Sequence, residues 1–442
     1  MSDRHAPQDS EDPARAAPLR LPAMTPEEKG FVAPRGTRDL LPPESWTWQW
    51  AARLAMDTFA RAGYAPAETP AFEHTGVFER GVGEATEVVT KQMYTFEDKG
   101  GRSLTLRPEG TAPVVRAVLE HSLDRGALPV KLSYASWMFR QERPQKGRYR
   151  QFFQVGIEAI GTDDPMVDAE VIEIGVRYLE AAGAPATLLL NSIGHPDPSC
   201  REGYLARLVE FLEANASSLA GVDRERINTN PLRTFDSKEA PTVSAMEKAP
   251  LITDHLCADC RAHFERVQAL LASVGVKWTL EPRLVRGLDY YTRTAFEFVA
   301  GGLGSQNAVG GGGRYDGLAE SLGGSPLPGI GFALGLDRIL IARGTDAGRI
   351  APAAYIVAAT DDARPVAFRI ATRLRAAGLG ADLDLAGRGM KGQMKDAARS
   401  GARWAVILGD EEVRTEDATL RDLESGEQTT CPFRDLEGRL SE

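Results

Sequence analysis

Between Leu132 and Ile160 the chain reads as two β-like runs around a basic, turn-rich tip, and this segment limits the fold more than any other. The first run is Leu132–Phe139 and the second Phe152–Ile160. Between them Arg140, Arg143, Lys146, Arg148 and Arg150 are interleaved with Pro144 and Gly147. Two extended runs joined by turn residues predict a β-hairpin. Strand side chains alternate between faces. Phe153, Val155, Ile157 and Ala159 therefore share one face, all apolar, and Gln154 and Glu158 share the other, with Gly156 between them. One face is core. The other is a polar floor with room for a small ligand, flanked by arginine forks suited to a polyphosphate.

The rest of the chain has room for two to four domains at 442 residues. With 43% apolar and 26% charged residues it is expected to be a soluble globular protein. A net charge of −10 argues against a protein that coats DNA. Local basic patches still leave room for an RNA partner. Cys200, Cys257, Cys260 and Cys431 are too few for a disulfide scaffold, so a reducing cytoplasm is expected. No apolar run reaches membrane-spanning length. Residues 1–30 carry five prolines and mixed charge without an apolar stretch, and are expected to be a disordered tail rather than a signal peptide.

A helix is expected from about Glu44 to Ala62, after Pro42-Pro43, with Trp46, Trp50 and Leu54 packed against the core or a second subunit. Residues 65–125 alternate short strands and turns. Helix Met166–Ala182 and strand Ala186–Asn191 follow the hairpin. Residues 196–274 read as a helical insertion bounded by two amphipathic patterns, Cys200–Asn215 and Cys257–Val274. Strand-like chemistry resumes at Leu284, followed by a glycine-rich loop at Gly301–Gly317 and a helix starting near Gly329-Ile330. Arg343–Arg349 is a linker. Beyond it, strands Ala354–Ala359, Ala381–Leu385 and Trp404–Leu408 alternate with helices Pro365–Ala377 and Met390–Ser400, which predicts a separate, mostly parallel α/β unit.

Four further segments carry candidate chemistry. In Thr105–Thr111, Glu109 and Thr111 flank Gly110 and suit an ammonium group; they would equally serve as the N-terminal cap of a helix near Ala112. In Leu284–Arg293, Arg286 could neutralise a phosphate or carboxylate, and Tyr290 and Tyr291 could bond a planar polar group; alone, an aromatic core strand explains the same residues. Val309–Gly317 holds four successive glycines but no P-loop ending, so it reads as a close backbone approach or a flexible turn. In Gly329–Leu340, Gly331 and Gly335 leave one helix face bare, and Arg338 emerges near its end.

Taken in this order, the segments resemble class II aminoacyl-tRNA synthetases, and the histidyl-tRNA synthetase family in particular, over about residues 31–440. Gly36–Pro43 is similar to the opening of motif 1, Phe139–Glu158 to motif 2 and Gly329–Leu340 to motif 3. Leu284–Tyr291 and Gly310–Gly317 are similar to the two signatures specific to the histidine enzymes. The resemblance implies an α+β catalytic domain on a mainly antiparallel sheet over 31–345, carrying the helical insertion, and a C-terminal α/β anticodon-binding domain over 352–442. It implies ATP with Mg2+, L-histidine and tRNA(His) as substrates, a homodimer, and neither membrane nor DNA as partner. Arg140, Arg286 and Arg338 would be catalytic. Glu142 and Arg148 would join them in holding ATP. Glu109, Thr111, Gln154, Glu158, Tyr290 and Tyr291 would bind histidine. A synthetase-like regulatory subunit of ATP phosphoribosyltransferase is the competing reading. No metal site is expected: Cys257-x-x-Cys260 with Cys200 and His195 could bind zinc but is only a weak candidate, because Cys257 and Cys260 share a helix face and His195 is not at a tight ligand spacing.

Overall fold

The computed structural model describes residues 31–83, 86–303, 307–344 and 351–441. The expected tail at 1–30 and most of the expected linker lie outside the described residues. An eight-stranded sheet organises the larger part. In spatial order its strands are Ala65–Pro66, Val130–Phe139, Gln151–Ile160, Gly329–Gly335, Ala308–Arg314, Thr292–Val299, Thr187–Ser192 and Thr279–Leu280. The inner six pair antiparallel, and only the two short edge strands run parallel to their neighbours.

One face of this sheet is core. Phe153, Val155, Ile157, Phe332, Leu334, Phe296 and Phe298 lie on it, buried with Phe59 and Tyr178 from two covering helices. The first helix, Glu44–Arg61, buries Thr47, Ala51, Ala55 and Phe59, four residues apart. That spacing places one stripe against the sheet. Trp50 and Leu54 pack half-buried beside this stripe, and Trp46 is also half-buried. The second helix, Pro165–Ala181, starts where Asp164 accepts the Met166 amide at 2.8 Å.

Several expectations need correcting. Gly329–Gly335 is a strand, and the helix begins only at Leu336 and ends at Arg343. Glycines four apart fit a helix face, but here the segment is paired along both edges, with Gln151–Ile160 and Ala308–Arg314. Gly331 sits opposite Glu158, where any Cβ would run into that carboxylate. The glycine-rich segment is likewise a strand, Ala308–Arg314, not a loop. Leu284 lies in irregular chain, and the strand there starts at Thr292. Within 65–125 a small sheet of Phe72–His74, Ser103–Leu106 and Tyr94–Glu97 is joined by helices Thr75–Val82 and Thr111–Glu120.

The insertion is helical as expected, with Arg201–Ala214 and Ala258–Ser273 as its long members and its own buried apolar cluster. In the C-terminal unit, strands Ala381–Leu383, Ala354–Ala358 and Trp404–Leu408 are parallel, and Asp417–Asp422 and Gln428–Pro432 extend the sheet antiparallel. Half of its pairings are therefore parallel, not most. Among the described residues no helix is long and apolar enough to cross a membrane.

Candidate active site

The second face of the large sheet is built from unusually small residues. Directly opposed residues of antiparallel strands share a face. Tyr134, Gly156, Ala333, Gly311 and Glu297 follow one another across five strands in this way. Gln154 lies opposite Gly335, and Glu158 opposite Gly331. The middle of the sheet thus offers a bare floor, with polar side chains at its sides. A single cavity stands over it. Glu109, Thr111, Arg140, Glu142, Arg148, Gln154, Arg286, Tyr290, Tyr291, Glu297 and Arg338 all line that cavity.

Each arginine is already positioned. Arg286 donates to Glu297 Oε2 at 2.7 Å, and its guanidinium carbon lies 5.8 Å from the Tyr291 ring centroid. It can lie flat on the sheet because Gly311 is beneath it: a Cβ there would meet Arg286 Nη1 at 2.9 Å and the Phe296 carbonyl at 2.5 Å. The Arg286 Nε–H is buried without a partner. Arg140 Nε donates to the Pro108 carbonyl at 2.8 Å and stacks over Phe152. Arg148 donates to Glu142 at 3.2 Å. Arg338, two residues into its helix, is held by the Ala308 and Gly147 carbonyls. Arg150, by contrast, is structural, bonded to the Glu142 and Arg35 carbonyls. Arg143 and Lys146 are exposed.

At the other end of the cavity, Gln154 Oε1 is buried with no hydrogen-bond donor. Such an acceptor calls for a donor from a ligand. Glu109 does two things at once. Its carboxylate accepts the Thr111 and Ala112 amides at 2.8 and 2.9 Å, capping helix Thr111–Glu120, and it also lines the cavity. Burial pushes the Glu109 carboxyl above the usual range despite those amides. Tyr290 OH lies 3.4 Å from Glu109 Oε2. Burial holds the Tyr290 and Tyr291 phenols above their ordinary pKa, so both stay neutral donors near pH 7.

A bare floor, four convergent arginines and an unpartnered amide oxygen suit a polyanionic ligand held beside a small polar one. A family model described as histidyl-tRNA synthetase matches residues 36–339, and an anticodon-binding domain model matches residues 353–442. The chain belongs to the histidyl-tRNA synthetases. It is 49% identical over 418 residues to a histidine–tRNA ligase of Rhodococcus erythropolis, covering 93% of this chain and 98% of that one. A histidine–tRNA ligase of Anaeromyxobacter dehalogenans is 49% identical over 413 residues, with 92% and 98% covered. Among solved structures, apo histidyl-tRNA synthetase of S. aureus matches with a TM-score of 0.78 and 36% identity over 93% of this chain and 100% of that chain. The class II fold expected from the motifs is thereby established for this synthetase, as is its ligase class.

Of the site residues named from sequence, the structure brings all but one into the cavity. Glu158 stands on the same face, past the end of the bare floor, fully buried under Thr111, Tyr134 and Tyr315. Its carboxyl accepts from Thr111 Oγ1 at 2.7 Å, Tyr315 OH at 2.5 Å and Tyr134 OH at 3.3 Å. Tyr134, Tyr315 and Glu297 were not singled out from sequence. Tyr315 stands one residue past the Arg314 that ends the glycine strand, so the motif was visible but its role was not. Tyr134 and Glu297 carry no local signal, because only register places them opposite Gly156 and Gly311.

Burial pushes the Glu158 carboxyl up from 4.5 to about 8, against the pull of its three hydroxyl donors. Burial therefore favours the neutral form of this acid. A raised folded pKa stabilises most below the unfolded value, and that contribution is lost as pH rises through the folded one. Wild type minus Glu158→Gln is expected to lose stability between pH 4.5 and about 8. Melting temperatures across that range check this, and a pH-independent difference would refute it.

Proposed function

We propose that this chain activates L-histidine with ATP to histidyl-adenylate, releasing pyrophosphate, and then transfers the histidyl group to the 3′ end of tRNA(His). The observation that carries the reading is the joint lining of one cavity by Arg286, Arg338 and the donor-seeking Gln154 Oε1. The histidine ammonium goes to Glu109, Thr111 and Gln154. Tyr291 and Glu158 read the imidazole, with Tyr290 lining the pocket. Glu158 does this from the closed end of the same face, where burial favours its neutral form.

Arg140 and Arg286 hold the α-phosphate, Arg148 and Arg338 the outer phosphates, and Glu142 the adenine end. No side-chain nucleophile is required. The histidine carboxylate attacks the α-phosphorus, a P–O bond forms to it, and pyrophosphate leaves with the electron pair of the broken bond. Negative charge grows on the phosphoryl oxygens, and the fixed guanidinium groups offset it. Magnesium enters with the nucleotide as part of the substrate.

The segment 352–442 reads the anticodon. The chain works as a homodimer in the cytoplasm; the exposed Phe31, Val32 and Leu41, just before the first helix, support a subunit contact there. The competing reading, a regulatory subunit, is not favoured.

ATP–pyrophosphate exchange with each of the twenty amino acids tests the proposal. Exchange with histidine alone is expected. A folded protein that exchanges with none of them would move the reading to the regulatory class.

A further inference from the structure

Where the first insertion helix begins, the chain meets the start of the last one, and a set of soft ligands stands there. His195 and Cys200 lie at the entry, and Cys257 and Cys260 at the start of the last insertion helix. His195 is 62 and 65 positions from Cys257 and Cys260 in the chain. In space, His195 Nδ1 is 3.1 Å from Cys260 Sγ and 3.8 Å from Cys257 Sγ, and the ligand atoms of all four residues lie within 4.8 Å of one another. Tetrahedral zinc with Zn–S of about 2.3 Å and Zn–N of about 2.0 Å holds its ligand atoms roughly 3.5–3.8 Å apart. Reaching that geometry needs only shifts of about 1 Å or less, opening His195–Cys260 and closing the wider pairs. Close spacing along the chain, whose absence argued against metal from sequence, is thus supplied by the fold.

The surroundings suit a metal-bound thiolate cluster. Cys200 and Cys260 are buried. Cys257 Sγ accepts the Cys260 amide at 3.4 Å, so one sulfur is already oriented. Cys200 and Cys257 each stand at the N-terminus of a long helix, Arg201–Ala214 and Ala258–Ser273, so two secondary-structure elements fix their positions. Gly194 leaves room for Cys200: a Cβ there would meet its Sγ at 2.8 Å.

We propose that His195 Nδ1 and the thiolates of Cys200, Cys257 and Cys260 bind one structural zinc ion that closes the base of the insertion. Three sulfurs and one imidazole select a tetrahedral borderline-soft cation over magnesium or calcium. Four protein ligands leave no open position, so the ion is structural rather than catalytic. Binding displaces the thiol protons to solvent. The clamp also abuts the active site. Arg201, next to Cys200, donates to the Tyr291 carbonyl at 2.6 Å, so the zinc ion fixes the chain behind a histidine-pocket residue.

The test uses the full-length protein purified without a metal-affinity step. Elemental analysis is expected to find about one zinc per chain. The Cys257→Ser/Cys260→Ser variant should lose it, and Cys431→Ser, remote in the C-terminal unit, should keep it. Should the double variant fail to fold, exchange of cobalt(II) into wild type still decides. A bound tetrahedral thiolate site gives intense visible d–d bands and a sulfur-to-cobalt charge-transfer band. Wild type that takes up no stoichiometric zinc and shows no such bands overturns the proposal. So does a disulfide among these cysteines in protein isolated from cells, or full zinc retention in the double variant.

Discussion

Arg286→Ala is expected to lower histidine-dependent ATP–pyrophosphate exchange by about 10³-fold, mainly in kcat, with little change in melting temperature. The reason is preorganisation. Glu297 at 2.7 Å, the Tyr291 ring and the bare surface over Gly311 fix the guanidinium before any substrate arrives. Its buried, unpartnered Nε–H remains free to bond a ligand oxygen. Alanine removes both a charge and that donor from the place where phosphoryl charge develops. Arg286→Lys should recover little, because a single ammonium cannot hold Glu297 and a substrate oxygen in the geometry of a planar fork. Glu297→Gln should cost less than Arg286→Ala, since it only loosens the arginine. Added guanidinium should restore part of the Arg286→Ala rate. Exchange in Arg286→Ala within a few-fold of wild type would remove Arg286 from the mechanism.

Asp168→Ala is expected to destabilise the catalytic unit by about 3–5 kcal/mol and to lower its melting temperature by on the order of 10 °C. Asp168 is fully buried and accepts from Arg314, from His263 Nε2 at 2.8 Å and from Thr294 Oγ1 at 2.6 Å. These bonds join helix Pro165–Ala181, two sheet strands and the last insertion helix. Arg314 is itself fully buried, so removing the carboxylate leaves a cation with only Asp316 and the Thr162 carbonyl. The loss is an uncompensated buried charge rather than the net worth of an ion pair.

The same group gives an acid signature. Burial raises the Asp168 carboxyl, but the His263 hydrogen bond and the Arg314 charge outweigh it and hold the pKa below its ordinary 3.8. A depressed carboxylate stabilises above its unfolded pKa and loses that contribution as pH falls through the folded one. Wild type should therefore lose its advantage over Asp168→Asn only in strong acid. A melting temperature for Asp168→Ala within experimental scatter of wild type would show that Arg314 is adequately satisfied without it.

Much of this molecule was legible as local pattern. Alternation in Phe152–Ile160 put Gln154 on the ligand face and Phe153, Val155 and Ile157 in the core. Helical period located the long helices of the insertion, and the change to alternating strands and helices located the C-terminal unit. Gly329–Gly335 was misread because glycines at positions 329, 331 and 335 satisfy both a helix spacing and a strand parity, and composition cannot choose between them. Pairing chooses: with neighbours on both edges, each backbone N–H and C=O finds a partner only if the segment is extended. Glu109 shows the opposite case, where capping and ligand binding appeared as alternatives and the fold places one carboxylate where it can serve both.

The sequence by itself determined which residues could carry charge, which face of each strand would be apolar, and, through its motifs, the family. These are properties of neighbours along the chain. Only the tertiary structure decided that Glu297 would hold Arg286, that Tyr134 and Tyr315 would bury Glu158 at the end of the floor, and that His195 would meet three cysteines at the base of the insertion. Those contacts depend on strand register and on where a long insertion returns. Register is set by the summed packing of a whole sheet, and a return point by closure of the chain, so neither leaves a mark at the residues it brings together.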